Sequence, residues 1–307
     1  MKKIAMLLLI FLFFLSASIS RADDEEIEKL ISHLSLPMPT GMKVPSDPEL
    51  KNLVWHKLST KNFTILSLDP KHGQYLQQNI EKMKQWVLAR WGLPDIDFTA
   101  ECRVLCVPDK KLMKKLFNLE TSVAEVRKDK GKITLSVLWL VLDGNPAETV
   151  PTPLSVVCLN EFGQKYNFEM PLWAVRGMSY LNSTLFQIKT QLAAIDEYYK
   201  VNSQMYFSKA LFSMTEEEWR KESVEKRLMF DREAVALCLL LRKEFGQRAF
   251  VEFLQAGPSI ESNFSKTYGF KGFSEFDATL NRYMKHLSAD VITNKTPNSY
   301  LQIQAAK

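Results

Sequence analysis

Residues 156–182 read VVCLNEFGQKYNFEMPLWAVRGMSYLN, and the way this stretch folds decides how the rest of the chain is read. Its first half continues an apolar run that Thr152 and Pro153 open, residue types suited to the cap and first turn of a helix. The pattern predicts one helix over Pro153–Tyr166 and a second over Leu172–Leu181. On the first, Asn160 and Gln164 are four residues apart and share a face, while Glu161 lies about 100° around the axis from Asn160. The segment that follows carries Pro171, Trp173, Arg176 and Gly177.

Downstream of this stretch the chain reads as helices throughout. Helical periodicity runs from Leu172 to about Tyr199 with a break near Ser183, and Thr215-Glu216-Glu217-Glu218 has the form of a capped acidic helix start. Asp231–Phe245 is strongly apolar and stops at Gly246, a C-cap signal, and Gln247–Leu254, Ser259–Tyr268 and Ser274–His286 complete the set. Upstream the character differs. Phe63–Leu68, Cys102–Val107 and Ile133–Leu142 are short, apolar and bounded by turn residues, so they are expected to pair in one sheet. Helices are expected over Gln74–Trp91 and Lys110–Asn118. The fold class is therefore α+β: a small N-terminal sheet with helices over 55–150, then an all-helical lobe over 151–290.

The ends have their own readings. Lys2 and Lys3, the apolar run Ile4–Leu15 and the small residues before Ala22 form a secretory signal peptide over 1–22, too short for a comfortable membrane span. Residues 23–54 are a lead segment, with a short amphipathic piece at Glu25–His33 and the Pro-rich connector LPMPTGMKVPSDP; 291–307 form a polar tail. The signal implies a periplasmic or secreted protein without an integral membrane span after cleavage. The chain carries 40 basic and 35 acidic residues, and losing Lys2, Lys3 and Arg21 brings the net charge to about +2. The basic runs Lys110–Lys115 and Arg127–Lys132 are short and interrupted, as solvated faces are, and no phosphate loop or nucleotide fingerprint indicates a nucleic-acid partner. Cys102 and Cys106, four residues apart on one strand, are too distant to pair; all four cysteines, with Cys158 and Cys238, read as buried thiols.

In order and spacing, the stretch around Asn160 resembles the peptidase MA-like, gluzincin-type families, in which H-E-x-x-H is followed by P-x-W-x-x-E-G-x-A. Asn160 and Gln164 stand where that pattern has its histidines, Glu161 at the general base and Arg176 at the third zinc ligand. Pro171, Trp173 and Gly177 match the surrounding frame, and the likeness extends over roughly residues 55–286. It implies a zincin-like C-terminal lobe whose metal site is degenerate. Side-chain amides are poor zinc ligands, and a guanidinium repels a cation, so no metal and no other cofactor is expected. The resemblance further implies that Arg176 stands in for the metal and pairs with Glu161, Asn160 and Gln164 bonding around them.

His33, His56, His72 and His286 all lie outside the two motif helices, and no G-x-S-x-G elbow is present. The function expected is that of a non-catalytic pseudopeptidase binding a peptide, a protein or an envelope component through the old cleft. The alternatives are an active hydrolase using Glu161 with other partners, and a structural subunit of an envelope assembly.

Overall fold

The computed structural model describes residues 53–183, 185–202, 204–255, 266–285 and 287, together with the backbone of Ser20–Arg21. The signal peptide (the Ser20–Arg21 backbone apart), residues 23–52 of the lead segment, most of Ser259–Tyr268, His286 and the polar tail lie outside the described residues. The chain divides into two compact units. One holds the described residues up to Arg90 with Pro94–Lys165, the other Trp91–Leu93 with the described residues from Tyr166 onward.

The first unit is a mixed sheet with helices. Its strands are β1 (His56–Ser59), β2 (Phe63–Ser67), β3 (Cys102–Val107), β4 (Val123–Asp129) and β5 (Lys132–Val141), in spatial order β1-β2-β3-β5-β4. The central pairs β2–β3 and β3–β5 are parallel, and the outer pairs β1–β2 and β4–β5 are antiparallel. Ser20–Arg21 pairs antiparallel with His56–Lys57 at the β1 side. The three expected strands thus pair with one another, as apolar runs buried on both faces should. β4 escapes the sequence pattern because an edge strand needs little hydrophobicity. Its VAEVRKD has two apolar β-formers, and a register shift at Arg127/Lys128 blunts its end. Lys130 and Gly131, both at positive φ, close the β4–β5 hairpin in two residues.

Helix α1 (Pro70–Ala89) starts four residues earlier than its periodicity suggests. Asp69 caps it by accepting from the amides of Lys71 and His72, with Pro70 in the first turn. Gly73 lets α1 press onto the sheet, since a Cβ there would sit 2.6 Å from Leu58 Cδ1 and 3.1 Å from Ser67 Cβ. The opposite sheet face is covered by α2 (Lys110–Phe117), whose Met113, Leu116 and Phe117 join Trp55, Leu66, Leu105 and Trp139 in one core. After the single turn α3 (Pro146–Thr149), helix α4 (Pro151–Lys165) packs on α1, β4 and β5. That is the helix carrying Asn160, Glu161 and Gln164.

The second unit is helical: α5 (Leu172–Leu181), α6 (Leu185–Val201), α7 (Ser208–Ser213), α8 (Glu216–Lys221), α9 (Val224–Phe245), α10 (Gln247–Gln255) and α11 (Phe273–Lys285). The break expected near Ser183 is present between α5 and α6, and Thr215 with Glu218 closes a full capping box on α8. α9 begins at Val224, seven residues before the apolar stretch that announces it, because VEKRLMF makes two amphipathic turns rather than a core run. An aromatic core joins Trp173 to Phe212, Phe250 and Phe253, and Trp91 to Phe250. Among the described residues no helix is long and apolar enough to cross a membrane. All four cysteines are buried and free.

Candidate functional site

The seven residues singled out from the sequence fall in both units: Asn160, Glu161 and Gln164 on α4, Pro171, Trp173, Arg176 and Gly177 at the start of and along α5. Each group has a structure of its own.

On α4, Glu161 is fully buried. Its Oε2 accepts from both the backbone N and the Oγ1 of Thr99, each at 2.7 Å, while Oε1 has no hydrogen-bond partner among the described residues. Burial raises its carboxyl above the usual range, against the Thr99 and Ala100 donors that lower it. Asn160 turns back on its own helix, Nδ2 donating to Val156 O at 2.9 Å. Gln164 Oε1 accepts from the amide of Ile133 at 3.0 Å, anchoring α4 to the head of β5. The two side-chain amides and one of the two carboxylate oxygens are therefore engaged within this unit.

Three further residues share the task of Glu161. Lys84 of α1, only 2% exposed, donates to Asp95 Oδ1 at 2.8 Å and to the carbonyl of Ile96, with the Phe98 ring 5.6 Å away. Asn62 Oδ1 accepts from Phe98 N at 2.8 Å, and Glu81 in turn holds Asn62 and Thr60 with bonds of 2.8 Å. The segment leading into β3 is thus pinned at Asp95, Ile96, Phe98 and Thr99. Burial would raise the Asp95 carboxyl, but Lys84 and Gln85 outweigh it and hold that group below its ordinary value. The signal that could have found Lys84 is its place on the buried stripe of α1, four residues after Ile80.

In the second unit, Pro171 occupies the N-cap position of α5 and Trp173 is a core residue, its ring 5.4 Å from Phe212. Gly177 marks the closest approach of α5 to α9: a Cβ there would lie 2.3 Å from Ala234 O and 2.6 Å from Cys238 Sγ. Arg176 lies over the Trp219 indole, Cζ 3.6 Å from the ring centroid, with Nε 3.4 Å from Asp231 Oδ1. Asp231 Oδ2 accepts from Tyr180 OH at 3.2 Å. Burial pushes the Asp231 carboxyl up to about 6, against Arg176 and Tyr180, which lower it. The ionic partner of Arg176 within its own unit is thus Asp231, a residue the sequence pattern did not nominate. Two residues further along α9, Glu233 is fully buried and accepts from Met205 N at 2.7 Å, Tyr206 N at 2.9 Å and Tyr199 OH. Burial raises its carboxyl to about 7.

Among the described residues, no three His, Cys, Asp or Glu side chains are grouped as a metal site requires. Compared with known proteins, the chain matches no family model and no curated protein.

Proposed function

We propose that this is an exported, non-catalytic peptidase-like protein that binds a peptide, protein or envelope component, residues 151–290 being a degenerate zincin-like lobe. The observation that carries the reading is the state of Glu161. A general base has to reach water or substrate, directly or through one water. Glu161 instead is buried and spends Oε2 on two bonds to Thr99, where it holds the approach to β3. Asn160 and Gln164 are likewise spent on backbone groups, Val156 O and Ile133 N. The second unit supports a binding role from the other side, for it exposes Val201, Met205, Phe207, Val224 and Leu228. Of these, Val224 and Leu228 are four residues apart on one face of α9, and adjacent exposed apolar residues of this kind favour a contact surface.

The test is metal analysis of the purified chain with a broad peptide-hydrolysis screen, run beside Glu161→Gln. The expected result is peptide binding without turnover in either protein. Turnover that disappears in Glu161→Gln would make Glu161 a catalytic base and overturn the reading.

A further inference from the structure

We infer that Arg176 and Arg227, gathered on Trp219, form a binding site for the carboxylate of a peptide. The inference rests on the peptide-binding reading above and names the group recognised.

Two guanidiniums converge on one indole, Arg176 at 3.6 Å and Arg227 at 5.2 Å from the ring centroid. Like charges gathered in this way need anionic compensation, and the nearby carboxylate that both act on is that of Asp231, itself buried and only 9% exposed. The N–H groups of neither guanidinium donate a hydrogen bond to a described residue, and Arg227 has no ion pair among them. Among the described residues Arg176 has one ionic contact, to Asp231, and at 3.4 Å it is longer than the 2.7–2.9 Å of a charge-assisted bond. A fifth of the Arg176 side chain reaches solvent, at 21% exposure. The arrangement is a cation held in place by stacking and left with unfilled donors.

The neighbouring residues say what kind of anion fits. A guanidinium presents a planar fork that matches a carboxylate with two parallel bonds. Asp231 already lies beside Arg176, and Glu216 is close enough to raise the Asp231 carboxyl. A dianion would meet that negative charge twice over, so a singly charged carboxylate is favoured over phosphate. On α9, Val224, Arg227, Leu228 and Asp231 follow the i, i+3, i+4, i+7 spacing of a single helical stripe. Val224 and Leu228 are 74% and 41% exposed, so an apolar strip runs beside the cations. The ligand chemistry is therefore a carboxylate next to an apolar side chain.

The experiment titrates the purified chain with N-acetyl-Ala-Ala-Leu carrying either a free C-terminal carboxylate or a C-terminal amide, followed by calorimetry. Inorganic phosphate is added as competitor. The acid peptide is expected to bind at least tenfold more tightly than the amide. Arg227→Gln, a change at a half-buried position that leaves the Arg176–Asp231 contact in place, should abolish that difference with the fold intact by circular dichroism. Equal binding of acid and amide removes the carboxylate site and leaves the peptide-binding reading standing. Binding of neither peptide removes both. Phosphate displacing the acid peptide at comparable concentration shows an unspecific anion site and also overturns the inference.

Discussion

Thr99 gives both its backbone N–H and its hydroxyl to one oxygen of Glu161, each at 2.7 Å, across 62 residues of sequence. The bond pair ties α4 to the segment entering β3. It makes Glu161 an anchor, and the anchor can be tested by separating its shape from its charge. Glu161→Gln keeps an acceptor for Thr99 and suits a group whose burial already favours the neutral form, so it should cost less than about 1 kcal/mol. Glu161→Ala leaves the Thr99 donors unfilled in a buried place, and about 1–3 kcal/mol should be lost for the stranded donors alone. Urea denaturation of the two variants checks this; equal losses would remove the anchor role.

Gly177 makes a sharper prediction. A Cβ at this position would meet backbone, Ala234 O at 2.3 Å, as well as Cys238 Sγ at 2.6 Å. Backbone of a helix cannot rotate aside as a side chain can, so α5 and α9 have to separate. Gly177→Ala is expected to destabilise the chain by about 1–3 kcal/mol, despite the better helix propensity of alanine. A melting temperature unchanged or raised would mean that the two helices do not pack as closely as this.

These residues also show how far the sequence can be read. The three central strands and the helices around residue 160 are legible because burial on both faces, or on one stripe, writes a strong periodic pattern. β4, α7 and the first turns of α9 are not, since edge strands and exposed turns are held by tertiary neighbours and carry mixed polarity. At the candidate site the pattern locates Glu161, Arg176 and Gly177, but not Thr99 or Asp231, which meet the first two. Such partners lie 62 and 55 residues away, and spacing along one helix has no information about them.

Lys84 tests whether the buried ammonium is structural. It is 2% exposed, whereas its carboxylate partner Asp95 is 48% exposed. Removing the lysine strands no buried charge, because Asp95 can rehydrate and Glu81, 3.8 Å from Nζ and 27% exposed, keeps its bonds to Thr60 and Asn62; the group left unpaired is the carbonyl of Ile96. Lys84→Met, which keeps the apolar stem, is expected to cost about 1–3 kcal/mol, below the penalty usual for breaking a buried pair. The same change should return the Asp95 carboxyl towards its ordinary value, readable by carbon-detected NMR titration. An Asp95 that titrates as before would show that Lys84 is not its partner in solution.

The two acidic residues near the middle of α9 set the pH dependence of the second unit. Asp231 is raised to about 6 and Glu233 to about 7, in both cases first by burial. Each folded-state value lies above the unfolded one, so the folded chain binds more protons than the unfolded chain between them, and stability falls as pH rises. The contribution is full below the ordinary values of 3.8 and 4.5 and is lost as pH climbs through about 6 and 7. Each group can account for at most roughly 3 kcal/mol of this loss, because a tenfold difference in proton affinity is worth about 1.4 kcal/mol. Glu233→Gln isolates one of the two. Gln still accepts from Met205 N but presents its amide N–H to Tyr206 N, so the variant loses some stability at every pH. Its slope between pH 4.5 and 7 should nevertheless be shallower than that of the unmodified chain, by an amount that belongs to Glu233 alone. Denaturant midpoints measured across that range for both proteins give the two slopes, and parallel curves would mean that Glu233 does not change its protonation there.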